Sequence, residues 1–272
     1  TALQHILKNR LELHIWKTLS ELINIWKLAR TGTVKNEKRS PLQMLIFIGN
    51  MLLILLLFKT ISIGLILFLD WLEVFEMPIN LNRTRLQSFS KFEILLLTSV
   101  YAPILEELAF RLPLKFSKWN LTLGSTAISL TFCRVLAELK YEYSLILSIG
   151  IGIAVYLTSN ERTVKSLSKF WSKNRLLIFY TSLLIFSFLH LKNYKLTIEL
   201  LIFSPIFILP RVLGGLVFSY IRLNSGIILA ILFHSFNNGF LRIVTILADW
   251  KNVCNSLLVL PYLRKSSWAF YL

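Results

Sequence analysis

The chain has 272 residues, of which 55% are hydrophobic and 16% charged, and its mean hydropathy is +0.64. This composition excludes a soluble domain with a charged surface and gives enough length for six or seven membrane spans. The formal net charge of +16 does not indicate nucleic-acid binding, because no basic and aromatic stripe lies outside the spans and their flanking helix. Basic residues of membrane proteins gather in cytoplasmic loops and attract anionic lipid. We therefore expect the lipid bilayer, and no nucleic acid, as a partner.

Residues 1–40 form the first predicted unit, a basic amphipathic segment. Large apolar residues recur at helical spacing and alternate with Lys and Arg, which indicates one or two helices lying on the membrane surface. The segment is too charged to be a signal peptide. Its histidines, His5 and His14, are expected to face solvent or lipid headgroups.

Residues 41–247 are predicted to form the membrane domain, an all-α polytopic bundle of about seven transmembrane helices. The first apolar run is long for one span but short for a hairpin, so we predict one tilted helix there. In the fourth span, Gly150 and Gly152 would permit close helix contact. Residues 248–272, with scattered charge, two Trp and two Tyr, are predicted to be an interfacial tail. The expected spans are 42–69, 93–114, 121–138, 143–158, 176–191, 196–221 and 223–247.

The distribution of basic residues predicts the orientation. Lys and Arg are concentrated in 1–40, 115–120 and 159–175, with Arg222 counted as a further loop residue on the same side. These segments alternate with less basic ones, so we predict an N-terminus inside and a cytoplasmic loop over residues 160–175. The expected membrane is the cytoplasmic (inner) membrane of a bacterium.

Three charged residues, Glu106, Glu107 and Arg111, stand inside the second predicted span. An ionised group in hydrocarbon costs several kcal/mol unless it is paired or faces a polar cavity. Glu107 and Arg111 are spaced to pair across one helical turn, which leaves Glu106 without a partner. An unpaired acid at membrane depth is a hypothesis for a functional site.

Three more polar residues in the spans, His190, His234 and Asn238, extend this hypothesis. A single membrane histidine often only bonds two helices together. Counted from the flanking basic residues at ~1.5 Å per residue, however, Glu106 and both histidines lie roughly 14–22 Å into the membrane on the same side. Asn238 follows His234 by four residues and shares its helical face. The sequence therefore predicts one polar cluster built from several spans.

An acid, two imidazoles and a carboxamide suit peptide hydrolysis by an activated water. Glu106 would act as the general base, and His190 would hold the same water or carry a proton. His234 and Asn238 would donate to the oxyanion. A His-His-Glu set can also hold a catalytic divalent metal such as zinc, and the residues alone leave both readings open.

Other charged residues in the spans have simpler explanations. Arg211 is expected to snorkel or to pair locally where Pro205 and Pro210 break the sixth span. Arg134 and Glu138 are expected to form an ion pair across one turn of the third span.

These motifs resemble the CPBP family, the CAAX-protease and bacteriocin-processing membrane endopeptidases, also called the Abi family. The family carries EExxxR, FxxxH and HxxxN on separate helices, which stand here as Glu106 to Arg111, Phe186 to His190, and His234 to Asn238. The resemblance covers about 93–247 and implies a membrane-embedded endopeptidase acting on a membrane-associated peptide or protein. It further implies that Glu106 and His190 activate the water, that His234 and Asn238 steady the oxyanion, and that Glu107 and Arg111 shape the site.

Two departures from the family pattern stand out. Leu112 replaces the Gly that often follows the first motif, and the gap before Phe186 holds an inserted helix pair, about 121–158. Two added spans return the chain to the side it left, so the motif helices keep their relative direction. Two other classes remain as alternatives. One is a non-catalytic membrane scaffold or bacteriocin self-immunity protein with the same fold, and the other is a small transporter using Glu106 as a proton carrier, which would show inverted repeats.

Overall fold

The computed structural model describes the backbone of residues 2–254 and the side chains of residues 15–82 and 84–247. In this part of the chain the regular structure is helical, and β pairing is limited to an isolated bridge between Asn80 and Tyr194. The prediction of an all-α fold is therefore confirmed. Of the predicted tail, 248–272, the structure describes only the backbone up to Cys254, which ends the last helix.

The described residues form twelve α-helices. A π-helical turn, Leu97–Tyr101, joins the fourth helix to the fifth, and 3₁₀ turns at Leu112–Leu114 and His190–Asn193 follow the fifth and the ninth. In chain order the helices are α1 (Ala2–Thr31), α2 (Pro41–Trp71), α3 (Asn82–Leu86), α4 (Lys91–Leu96), α5 (Ala102–Phe110), α6 (Lys118–Val135), α7 (Tyr141–Thr158), α8 (Glu161–Lys173), α9 (Arg175–Leu189), α10 (Ile198–Ile202), α11 (Ser204–Ser225) and α12 (Ile227–Cys254).

Five of the described helices, α2, α7, α9, α11 and α12, are long and apolar enough to cross a membrane, which makes this a multi-pass membrane protein. The first apolar run is a single helix, α2, as predicted. The expected span 93–114 corresponds to α4, the π turn and α5 in succession, called here the α4–α5 stack. The expected span 121–138 corresponds to α6. The stack is split into short helices and carries charged residues, and α6 holds several Ser and Thr. The expected count of seven spans is thus approximate.

The main core cluster joins α1, α2, α9, α11 and α12. Its central helix is α11, whose second half is almost entirely buried. Lipid tails are as apolar as these side chains, so close packing, and not exclusion of water, holds the helices together within the membrane. Buried members of the cluster include Leu28, Ile54, Phe179, Val217 and Phe233.

The predicted N-terminal segment contains one helix, α1, and one face of it packs against the bundle. Ile25 and Leu28 are buried, whereas Ile23 on another face is 65% exposed. The Tyr220 hydroxyl donates to Glu21 at 2.5 Å, so a polar contact adds to the apolar one. The side chains of residues 1–14, with His5 and His14, lie outside the described part.

Helices α6 and α7, the predicted inserted pair, pack closely along one another. A Cβ at Gly152 would lie 2.1 Å from Oγ1 of Thr126, so this crossing requires a glycine there. Gly150 has no such neighbour within 4 Å. Of the two glycines predicted to permit helix contact, Gly152 alone does so.

Three local predictions are wrong. The segment 160–175 is not an irregular loop, since Glu161–Lys173 form α8, whose first turn Asn160 caps by accepting from the Thr163 amide. Its cytoplasmic location stays a prediction. Arg222, counted as a loop cation, is buried in the last turn of α11. The predicted pair of Arg134 with Glu138 does not form, because α6 ends at Val135 and Glu138 has a left-handed backbone with φ of 52°.

Candidate active site

The first motif lies on α5, a short helix that other elements hold at both ends. Its N-terminal side continues from the π turn without a break, so Pro103, which has no N–H, leaves a carbonyl of that turn without its helical partner. A π turn leaves local backbone groups without their usual partners and is frequent at functional sites. The stack thus delivers two adjacent glutamates, Glu106 and Glu107, to different faces.

The C-terminal carbonyls of α5 are bonded by side chains from two other helices. Ser182 of α9 donates its hydroxyl to the Phe110 carbonyl. The buried guanidinium of Arg222, on α11, donates to the Arg111 carbonyl at 3.3 Å and the Leu112 carbonyl at 3.4 Å. Unsatisfied carbonyls are costly away from water, so these bonds fix α5 against α9 and α11.

Glu107 is fully buried between a guanidinium and an imidazole. Its Oε1 lies 2.9 Å from His234 Nδ1 and 3.7 Å from Arg111 Nε. The Arg111 guanidinium also lies 3.8 Å from the ring centre of Phe186, a cation–π contact that offsets part of the cost of burying it. Oε2 of Glu107 and both terminal nitrogens of Arg111 have no hydrogen-bond partner in the described structure. Glu107 and Arg111 therefore form a buried ion pair, called here the buried frame, on the side of His234 that faces away from the cavity.

Glu106 faces the two imidazoles. Its Oε1 lies 4.0 Å from His190 Nε2 and its Oε2 lies 3.6 Å from His234 Nε2. The Glu106 side chain is 22% exposed, compared with 0% for Glu107. The structure thus brings Glu106, His190 and His234 together, with Glu106 on the open side and Glu107 on the closed side of His234.

The hydrogen bonds of each ring decide which nitrogen can face Glu106 as an acceptor. His190 Nδ1 lies 2.8 Å from the Phe186 carbonyl. A carbonyl only accepts, so Nδ1 carries the hydrogen, and Nε2 of the neutral ring offers a lone pair toward Glu106. Two acceptors that face each other need a donor between them, and water is the simplest one. His234 stacks on Phe218 at 4.2 Å, which fixes its ring plane.

Asn238 lies on the face of α12 that His234 occupies but bonds elsewhere. Its Nδ2 donates to the Thr98 carbonyl in the π turn at 3.2 Å, and its Oδ1 accepts from Asn237 at 3.0 Å. Asn237 in turn accepts from Lys59 of α2 at 2.9 Å. Asn238 therefore holds the π turn below α5, and one hydrogen of its amide remains for another acceptor.

A cavity of about 460 Å³ opens beside this cluster and includes Glu106 and His190 in its lining. Phe110 and Phe186 form apolar parts of its wall, and Arg85, Arg134 and Lys192 contribute charged side chains. This size suits a small ligand or a short stretch of peptide. A substrate in the cavity would meet Glu106 and His190 directly.

Zinc would accept the donor types of Glu106, His190 and His234. At about 2.0–2.1 Å from each donor, tetrahedral zinc holds its ligand atoms about 3.3 Å apart. Here the Glu106–imidazole separations are 4.0 Å and 3.6 Å. Among the described residues, no three His, Cys, Asp or Glu side chains gather closely enough to hold a metal ion. The side chains of Glu106, His190 and His234 therefore do not fit a tetrahedral zinc site.

Sequence reasoning missed several residues that support the cluster. Lys59 lies in the first predicted span, 42–69, which is otherwise largely apolar. An ionisable residue inside a span indicates a polar partner. Asn237 gave no signal beyond its position beside Asn238. Arg222 resembled a loop cation, and Arg85 and Lys192 came from segments without a motif. Only the packing of distant helices brings these residues to the site.

Comparison with known proteins identifies the family. A family model described as Type II CAAX prenyl endopeptidase Rce1-like matches residues 88–240. No curated protein and no solved structure matches the chain. The matched region covers more than half of the chain and contains the three motifs. The chain therefore belongs to the type II CAAX prenyl endopeptidase Rce1-like family of membrane peptidases.

Proposed function

We propose that this protein is an intramembrane endopeptidase in which Glu106 activates a water molecule to hydrolyse a peptide bond. The observation that carries the proposal is the placement of the Glu106 carboxylate. It lies on a cavity of about 460 Å³ and faces two imidazole Nε2 atoms at 4.0 Å and 3.6 Å. Membrane-associated peptides or proteins are the proposed substrates, and an N-terminus inside a bacterial cytoplasmic membrane is the proposed setting.

The gap between Glu106 and His190 suits one bridging water. With hydrogen bonds of about 2.8 Å, the two O–H groups of a water reach acceptors about 4.4 Å apart. Glu106 Oε1 and His190 Nε2 are both acceptors and stand 4.0 Å apart. A water held by both would turn its oxygen lone pairs toward the cavity, where a substrate carbonyl would lie.

Hydrolysis would follow from this arrangement with atoms and charges balanced. Glu106 takes a proton from the water as its oxygen bonds to the peptide carbonyl carbon, and the carbonyl oxygen becomes an oxyanion. When the C–N bond breaks, Glu106 passes that proton to the leaving nitrogen. The products are an amine and a carboxylic acid, which loses its proton to the new amine or to water, and Glu106 returns to its starting state.

His234 is the proposed oxyanion donor because Glu107 stands behind it. Oε1 of Glu107 accepts the Nδ1 hydrogen of His234 at 2.9 Å and would balance the positive charge of an imidazolium form. The imidazolium then presents an N–H at Nε2 on the side of Glu106. The remaining amide hydrogen of Asn238 is the second proposed donor. Arg111 Nε lies 3.7 Å from Oε1 of Glu107, and in this scheme Arg111 never touches the substrate.

The test is a cleavage assay with purified protein in lipid nanodiscs. The probes are a prenylated peptide with a CAAX terminus, which the family description suggests, and membrane-anchored peptides without a prenyl group. We expect Glu106→Gln to lower the cleavage rate at least about 10²-fold, because it removes the general base without changing side-chain shape. Glu142→Gln is the matched control, since Glu142 is exposed in the first turn of α7.

Three outcomes would overturn the proposal. Equal cleavage by wild type and Glu106→Gln would remove Glu106 from the reaction. A second outcome is that no probe is cleaved and that Glu106→Gln and His190→Ala both restore whatever phenotype the loss of the protein causes in cells. This result would favour the non-catalytic membrane scaffold. If the protein carries one zinc per chain and loses both metal and activity on dialysis against a chelator, a metal-dependent reaction replaces direct activation by Glu106.

A further inference from the structure

The cavity that contains Glu106 has a strongly basic lining. Besides Glu106 and His190, its charged residues are Arg85, Arg134, Lys192 and Glu138. Three cations therefore face one acid outside the catalytic pair. Basic side chains that line a hydrolytic cavity raise the local concentration of anionic ligands.

Backbone carbonyls hold the two arginines in place without using up their donors. Arg85 Nη1 donates to the Lys192 carbonyl at 2.9 Å, and Arg134 Nη1 donates to the Leu139 carbonyl at 2.5 Å. A guanidinium has five N–H groups, so each arginine keeps several for a ligand. A carbonyl also leaves the positive charge of the arginine uncompensated.

The third cation, Lys192, has an acidic partner that can be displaced. Its Nζ lies 3.3 Å from Oε1 of Glu138, whose side chain is 69% exposed. Glu138 sits beyond the end of α6 with φ of 52°, a left-handed conformation that is strained for a residue other than Gly. An exposed ion pair adds little stability, so a competing carboxylate can replace Glu138 at small cost.

We propose that these cations bind a carboxylate of the substrate, and that Glu138 occupies the same place in the free protein. The inference rests on the proposed function, since the residues proposed for hydrolysis line the same cavity. The carboxylate would belong to an Asp or Glu side chain near the cleaved bond, or to the free C-terminus of the peptide. Cleavage would then prefer anionic peptides over neutral peptides of the same shape.

The test measures binding separately from cleavage, using Glu106→Gln protein in nanodiscs of neutral phosphatidylcholine. Four fluorescent peptides share one lipid anchor. Each carries either Asp or Asn near the anchor, combined with either a free or an amidated C-terminus. We expect about 10-fold tighter binding where the required carboxylate is present, as for a charge-assisted hydrogen bond. The Asp/Asn pair and the acid/amide pair distinguish the two sources.

Variants of the cavity assign the effect to its residues. In the Glu106→Gln background, Lys192→Glu should remove the preference for the acidic peptide and favour one carrying Lys at that position. Glu138→Gln should strengthen binding of the acidic peptide about 3-fold, because its competitor is gone. Glu142→Gln, an exposed acid on α7, should leave binding unchanged.

Equal affinity for all four peptides would overturn the inference. It would leave the proposed function standing if wild type still cleaves a neutral peptide and Glu106→Gln does not. A preference that persists in Lys192→Glu and in Arg85→Ala would also overturn it. If added anionic lipid displaces the acidic peptide, and the affinities show no Asp/Asn or acid/amide difference, the cations bind a lipid headgroup instead.

Discussion

Glu106 and Glu107 are neighbours in sequence, but their surroundings give them different chemistry. Glu106 lies on the cavity with two imidazoles nearby, whereas Glu107 is fully buried beside Arg111 and His234. A partly open carboxylate can receive a proton from water. A closed carboxylate can only hold charges in place. The adjacent acids thus supply a reactive group and the support for its partner.

Glu107→Gln tests this division at the level of one residue. The change leaves Arg111 as a buried cation without its acid, so we expect a loss of about 3–5 kcal/mol in stability. Activity should fall as well, since His234 loses the carboxylate that accepts its Nδ1 hydrogen and fixes the ring. Thermal unfolding in detergent and the cleavage assay report the two effects. Glu106→Gln is the matched control and should lose activity with little change in unfolding temperature; a Glu107→Gln protein as stable as wild type would contradict the buried frame.

The sequence predicted the residues of the site better than their bonds. Motif spacing and membrane depth indicated that Glu106, His190 and His234 converge, because a charged side chain in hydrocarbon is stable only beside other polar groups. They also indicated that Glu107 and Arg111 lie together. The bond from Glu107 to His234 crosses between α5 and α12 and depends on how these helices rotate against each other. The hydrophobic periodicity of a single sequence does not specify how α5 is rotated against α12.

At the scale of elements, α9 and α11 approach closely where the first motif meets them. A Cβ at Gly215 would lie 2.5 Å from Cδ1 of buried Leu183 and 3.1 Å from Nη2 of Arg111. A glycine at this crossing lets the Arg111 guanidinium lie against α11. The packing of two helices therefore sets the position of the charge that supports Glu107.

Gly215→Ala should disturb the site through this contact. We expect a cost of about 1–3 kcal/mol from overpacking and about 10-fold lower cleavage, because Leu183 and Arg111 must move. Gly214→Ala is the control: its Cβ would meet ordinary neighbours at 3.7 Å and 3.8 Å. Unfolding temperature and cleavage rate, measured for both variants, separate the two positions. Similar behaviour of the two alanines would show that the crossing does not position Arg111.

Element boundaries were the part of the fold that the sequence predicted least well. The second expected span, 93–114, is apolar enough to suggest a continuous helix. It contains a π turn, where Pro103 supplies no N–H and Asn238 of α12 donates to the Thr98 carbonyl, and this tertiary contact cannot be read from local patterns. The segment 160–175 was predicted as a loop because basic residues suggested one. The same charges suit the polar face of a helix, and the Asn160 cap decides between the two.

At the scale of the whole molecule, the core extends beyond the region that matches the family. The match covers residues 88–240, yet α1 and α2 contribute Leu28 and Ile54 to the main core cluster. Lys59 of α2 also donates to Asn237, inside the third motif. The site is therefore held by helices on both sides of the family boundary, and the N-terminal segment is part of the folded body.

Leu28→Ala tests whether α1 stabilises the bundle. Leu28 is 0% exposed and Ile23, five residues earlier on the same helix, is 65% exposed. Truncating a buried leucine leaves a cavity, so we expect Leu28→Ala to cost about 2–5 kcal/mol, and Ile23→Ala less than about 0.5 kcal/mol. Denaturant titration in detergent measures both. If the two variants unfold alike, α1 lies on the membrane surface without supporting the fold; if only Leu28→Ala is destabilised and its cleavage rate falls with it, α1 helps to hold the helices that carry the site.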